Sequence, residues 1–280
     1  MRISLVVALT LAVSGNALAQ DKPDASSAND SESSVFAPAT CDHPADAQQE
    51  AADQQIVSAA MSAENSGGYD ALTPHLDALQ AVLARAPACY PEFERRGGDI
   101  IARSNIDTAA TLALLTEAAA QGQSVRLVHG SNTYVLASLL LGSYYDENHN
   151  FDQGISWLDR GLALQPHEQY LVLEKATALG QLHRFDEQVA MLQAELDAPE
   201  AALTLDRVRF ERNLGVALID ANRLDDAKAA LQESLRLQPD NPRAQAELDY
   251  IAQLRAGRPP TTATMGPLAP NNAPPVTTHK

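Results

Sequence analysis

The chain has 280 residues, 45% of them hydrophobic and 5% aromatic, with 20 Lys and Arg against 36 Asp and Glu for a formal net charge of −16. That length allows one or two domains with a sizeable core. The acidic balance argues against a non-specific nucleic-acid binder or a basic membrane-surface protein, and two cysteines are too few for a Cys-rich zinc site or a disulfide-dense mini-fold.

Residues 1–19 have the form of a secretory leader. Arg2 supplies the positive start, Ile3 to Val13 a short apolar run, and Ala17-Leu18-Ala19 the small-x-small cleavage pattern. A spanning helix needs ~20 apolar residues, so cleavage after Ala19 is expected rather than a retained anchor. No cysteine follows the cut for acylation. The expected location is the periplasm, with secretion as the alternative. Residues 20–40, rich in Ser, Asp and Ala, are expected to be a disordered linker.

Export places Cys41 and Cys89 in an oxidising compartment. Cys41 precedes a helical stretch expected from about Pro44 to Ala63, and Cys89 follows a second, from about Thr73 to Ala86. Two antiparallel helices of similar length put the start of the first beside the end of the second. A disulfide there staples the mouth of a helical hairpin across a 48-residue separation, for which chain entropy gives roughly 4 kcal/mol. The rival is two free thiols, one of them reactive. No Cys-x-x-Cys redox motif is present.

Apolar residues in 41–256 recur at helical spacing, and Val125 to Val128 is the one short β-like run. The folded part is expected to be nearly all α. An internal repeat organises its second half. Phe151-Asp152-Gln153 returns 34 residues later as Phe185-Asp186-Glu187, and after 39 more as Leu224-Asp225-Asp226. A 34-residue period of paired helices is the signature of an α-solenoid.

In this pattern the chain resembles the tetratricopeptide repeat family. The unit at about 135–168 carries Leu141-Gly142, Tyr145, Gly154, Leu158, Gly161 and Pro166 at that family's spacings. The unit at about 208–241 matches with Leu214-Gly215, Leu218, Ala227, Leu231, Ser234 and Pro239. The middle unit, about 169–202, keeps Ala176, Leu179 and Leu192 but has Lys175 where Leu is usual and Gln188 where a small residue is usual. Five extra residues, Leu203 to Arg207, are expected to lengthen the third unit's first helix. Asn241-Pro242 opens a terminal capping helix with Ala244, Leu248, Ile251 and Ala252 on one face.

The expected architecture is therefore an all-α solenoid of about three such units plus the cap, over 131–256. A helical region over 41–130 precedes it, including a helix at about Asp107–Gln121. Tyr69-Asp70-Ala71 with Leu76, Leu79 and Leu83 resembles the second helix of a further repeat. Residues 257–280, rich in Pro, Thr and Asn and free of acidic residues, are expected to be disordered.

No catalytic signature is present: no Gly-x-Ser-x-Gly, no phosphate-binding loop and no His-Glu-x-x-His. Gly67-Gly68 and Gly97-Gly98 read as chain reversals. His149, close to Asp146, Glu147 and Asn150, and His167-Glu168 read as solvated turns rather than metal ligands. Trp157 reads as packing between units, with a binding anchor as the alternative. No cofactor or metal is expected.

In the family that the chain resembles, first helices line a concave groove, and some members hold a partner's carboxylate there with basic residues and Asn. Arg209, Arg212 and Asn213 fit the third unit's share. The first two units depart, with Leu136, Leu139, Leu140 and Ser143, then Tyr170, Leu173 and Glu174. The result is a mostly apolar groove with an acidic lip at Asp146, Glu147 and Glu174 and a basic end at Arg209 and Arg212, suited to a segment of another protein. The opposing reading makes those leucines core and pairs the arginines with Glu200, Asp206 or Glu211.

The functional expectation is a non-enzymatic interaction scaffold. Self-association is the second reading. An accessory enzyme built from Cys89, His75, Glu92 and Glu94 is the third.

Overall fold

The computed structural model describes residues 38–103, 124–199 and 204–258, with Thr111, Leu115, Thr116, Ala119, Ala120, Gly122 and Ala201. The leader, nearly all of the linker, most of the helix expected at 107–121 and the tail beyond residue 258 lie outside the described residues.

Asp46 caps the first helix, α1 (Ala47–Gly67), by accepting the Gln49 N–H at 2.7 Å. Gly68 turns the chain at φ 72°, where a side chain would be strained. A 3-10 turn (Tyr69–His75) then leads into α2 (Leu76–Ala84). Both helices start later than expected: the Asp46 cap sets the start of α1, and the 3-10 turn that holds Pro74 delays α2. The Cys41–Cys89 disulfide closes the hairpin with Cα atoms 5.7 Å apart. Val57 and Ala60 of α1 meet Leu72, Leu79, Val82 and Leu83 in one buried cluster. Asp53, fully buried in the same hairpin, is held by Arg85 at 2.5 Å and Gln49 at 3.2 Å.

A small sheet follows where a helical region was expected. β1 (Phe93–Arg96) and β2 (Asp99–Ala102) form an antiparallel hairpin around Gly97, at φ 58°, and Gly98. β3 (Arg126–His129) lies parallel to β2, so the β-like run does become a strand. Ala39 bridges the outer edge of β1. The two glycines read correctly as a reversal, but the strands beside them are disguised by charge. Glu94 is buried, with Arg96 at 2.5 Å and Arg103 at 2.9 Å. The Arg103 guanidinium stacks 4.0 Å above the Tyr90 ring. Tyr90 donates its hydroxyl to Glu50 at 2.6 Å and accepts the Thr133 N–H at 3.1 Å, tying the sheet region to both helical parts.

The rest is helix pairs: α3 (Thr133–Glu147) with α4 (Phe151–Leu162), α5 (Gln169–Gln181) with α6 (Phe185–Asp197), and α7 (Arg207–Asp220) with α8 (Leu224–Leu237). The last helix, α9 (Pro242–Arg255), packs on α7 and α8 as a cap, its N-terminus held by Asn241. Each pair turns on a residue in the left-handed region at φ 58°: His149, His183 and Asn222. The following N–H closes a six-residue bond back to Tyr145, Leu179 and Leu218, respectively. The two histidines thus take a backbone role. Helix crossings are close because a Cβ on Gly142 or Gly215 would stand 2.5 Å from Leu158 Cγ or Leu231 Cγ.

One detail differs from expectation. Of the five extra residues only Arg207 belongs to α7, which it opens behind an Asp206 cap; Thr204, Leu205 and Asp206 lie in the connection before it, and Leu203 is outside the described residues. The capping carboxylate of Asp206 stops the helix from extending backwards. Trp157 is half-buried against the N-terminal cluster, and the Arg160 guanidinium lies 4.9 Å from its ring. The hairpin α1–α2 packs on α3 and so occupies the place of a preceding repeat.

Candidate partner-binding face

First helices of successive units touch one another: α3 meets α5, α5 meets α7, and α7 meets α9. The repeat register sets equivalent residues side by side across this face. One row reads Leu136, Tyr170, Arg209 and Arg243; the next but one reads Leu140, Glu174, Asn213 and Glu247. The face therefore passes from aliphatic at α3 to cationic at α7 and α9.

Arg209, Arg212 and Arg243 form the cationic end. Among the described residues none of the three makes an ion pair. Arg207 differs, pairing with Glu211 at 3.6 Å and donating to the Leu196 carbonyl at 2.9 Å. Burial lowers the pKa of both Arg209 and Arg212. At Arg209, Tyr170, Asp206 and Glu174 oppose this and Arg243 adds to it; at Arg212, Arg243 and Arg209 add to it and Asp206 and Glu247 oppose it. Three mutually repelling guanidiniums, two of them half-buried, leave donor capacity unused. Arg209 also lies 5.5 Å from the ring of Tyr170, which is 37% exposed.

The other end is acidic but drier than the sequence implies. Burial raises Glu174, while the Ser143 hydroxyl and Arg209 favour its charged form. Tyr69, from the 3-10 turn, is pushed up to about 12 by burial and by Glu174. Asp146 is not on a lip: both carboxylate oxygens are buried without a hydrogen-bond partner, and burial pushes its pKa up to about 8. Leu140, Leu173, Ser143 and Asn213 are buried as well, at 9%, 1%, 6% and 9% exposure. The leucines Leu140 and Leu173 are thus core, because neighbouring first helices pack over them, whereas Leu136, Leu139 and Glu174 stay half-buried like Arg209 and Arg212, and Tyr170 is the more exposed.

Arg243 was missed in the sequence. It sits 34 residues after Arg209, so the repeat period held the signal, but its helix was read only as a cap.

Two of the residues Cys89, His75, Glu92 and Glu94 are engaged elsewhere. Cys89 is bonded to Cys41, and the described residues contain no free cysteine. Glu94 is consumed by its two arginines. At the His167-Glu168 turn, the His167 ring lies 3.0 Å from Glu195. Among the described residues, no group of three His, Cys, Asp or Glu is placed to hold a metal ion, and no helix is long and apolar enough to cross a membrane.

No family model and no curated protein matches the chain. Among solved structures, it is similar to the first TPR domain of human RPAP3, at 23% identity over 45% of this chain and 96% of that one, with a TM-score of 0.40. It is similar also to the first TPR of Spaghetti (RPAP3) bound to the HSP90 peptide SRMEEVD, at 23% identity over 46% and 98%, TM-score 0.39. MamA AMB-1 matches at 18% identity over 74% and 91%, TM-score 0.41. The 34-residue step, the left-handed turns and the glycine crossings are this chain's own. The fold is tetratricopeptide-like.

Proposed function

We propose that this protein is an exported, non-enzymatic interaction scaffold that seats a segment of another protein along its first helices. The reading rests on one observation: Arg209, Arg212 and Arg243 converge from two helices and none makes a close ion pair among the described residues, with Asp206, Glu174 and Glu247 acting on the first two only at longer range. An acidic side chain or a chain terminus would complete them with charge-assisted hydrogen bonds. Tyr170 supplies a flat, half-exposed surface for an apolar neighbour. The leader-like first 19 residues and the disulfide support a role outside the cytoplasm.

A displayed random dodecapeptide library, selected on the immobilised mature chain, tests this. Selected peptides should be enriched in Asp and Glu and should lose at least about tenfold in affinity in the Arg209→Glu/Arg212→Glu variant. Peptides with no acidic enrichment, or with unchanged affinity for a folded variant, would overturn it.

A further inference from the structure

The opposite face carries a feature that this reading does not use. Between the second helices α6 and α8, over α7, runs a trough of about 740 Å³. Val189, Leu214 and Leu218 form its apolar floor, and Asp186, Glu211 and Glu233 stand on its rim. It lies at the junction that carries the five inserted residues.

We propose that this trough is the docking site of the chain's own C-terminal segment, residues 259–280. The exit point is the first ground. In the last turn of α9, Arg255 is ion-paired with Asp225, the neighbour of Asp226, which lines the trough. The chain therefore leaves its cap beside one end of the trough. Length is the second. Twenty-two residues reach at most roughly 70 Å when extended, whereas the lining of α8 from Asp226 to Glu233 spans only about 10 Å. Charge is the third. Of the four carboxylates that line the trough, Glu211, Asp226 and Glu233 are paired with Arg207, Arg223 and Arg236, and Asp186 is left without an ion pair among the described residues. The segment has no acidic residue, and with Arg258 just before it offers His279 and Lys280. Met265 and Leu268 supply the apolar side chains for the floor, Met being suited to an irregular surface. A tethered segment works at an effective concentration in the millimolar range, so modest intrinsic affinity suffices.

The test places the photo-crosslinking residue p-benzoylphenylalanine at Ala229, an exposed position on the trough, in the full mature chain. Illumination should give a product of monomer mass whose linked peptide falls within 259–280. Met265→Asp with Leu268→Asp should cut its yield at least fivefold, while the same probe at Ala246, on the other face, should give no tail product. Links only to trough residues would overturn the proposal. So would tail links found only at dimer mass with concentration-dependent yield, which would assign the trough to a second copy.

Discussion

Gln188 fills the space that Gly180 leaves: a Cβ on Gly180 would stand 3.0 Å from the Gln188 amide nitrogen. The same crossing one unit earlier is built the other way round. There Asp146 overlies Gly154, where a Cβ would come within 2.7 Å of the carboxyl carbon. In the third unit, Ile219 and Ala227 hold the two places. Each crossing takes one large and one small residue, in either order, so the middle unit's departure from the family pattern is a size exchange with its partner helix. The polar members carry a cost, since the Gln188 amide and the Asp146 carboxylate are both buried without hydrogen bonds.

Filling the glycine crossings should destabilise the solenoid in a graded way. Gly142→Ala and Gly215→Ala press on branched leucine carbons and should each cost about 1–3 kcal/mol. Gly180→Ala meets the movable end of Gln188 and should cost less. Urea unfolding followed by helical circular dichroism checks the order; equal costs at all three sites would contradict it.

Asp146 should make stability fall as the solution becomes alkaline. Its carboxyl, ordinarily ionised above about 4, is pushed up to about 8 in the folded chain. A raised acid stabilises the fold fully below its unfolded value, and that contribution is lost as pH rises toward the folded one. Glu168, raised to about 7, and Glu174 act with the same sign. Asp146→Asn should therefore be more stable than the parent at pH 8, by about 1–3 kcal/mol, with the difference vanishing near pH 4. Parallel pH profiles for the two proteins would refute this.

Reducing the disulfide should weaken the N-terminal hairpin. The bridge closes a 48-residue separation, for which loop-closure entropy gives about 4 kcal/mol. Cys41→Ser/Cys89→Ser should lower the unfolding midpoint by an amount of that order. An unchanged midpoint would show that the helix packing alone sets hairpin stability.

Arg85 guards a buried charge. Arg85→Ala leaves the fully buried Asp53 carboxylate with only the neutral donors Gln49 and Tyr134 and should cost about 1–3 kcal/mol. Asp53→Leu on that background should recover most of the loss, because replacing both partners removes the desolvation penalty. Failure to recover would place the cost in packing around Arg85.

The repeats were legible because their constraints are steric and local: Gly142, Leu158 and Gly215 recur where helices cross, and prolines end each unit. The disulfide was legible from helix lengths. The sheet was not, because Glu94, Arg95 and Arg96 read as a solvated charged run, and only tertiary partners at Arg103 and Tyr90 make Glu94 a core residue. The binding face was half-legible. Arg209 and Arg212 stood out, but which leucines stay exposed depends on how closely α3, α5 and α7 approach, a distance that no repeat register contains.

The two ends of the stack are secured by unlike means. At the amino end, the Cys41–Cys89 bridge makes the covering hairpin a closed ring. At the carboxyl end, α9 is held by Ala244 and Ile251 against the core and by the surface pair Arg255–Asp225. Because each unit of a solenoid leans only on its neighbours, melting starts where a terminal unit detaches most easily. The molecule is a zipper with one stitched end: amide exchange should spread inward from α9 toward α7, and the hairpin should be the last part to open.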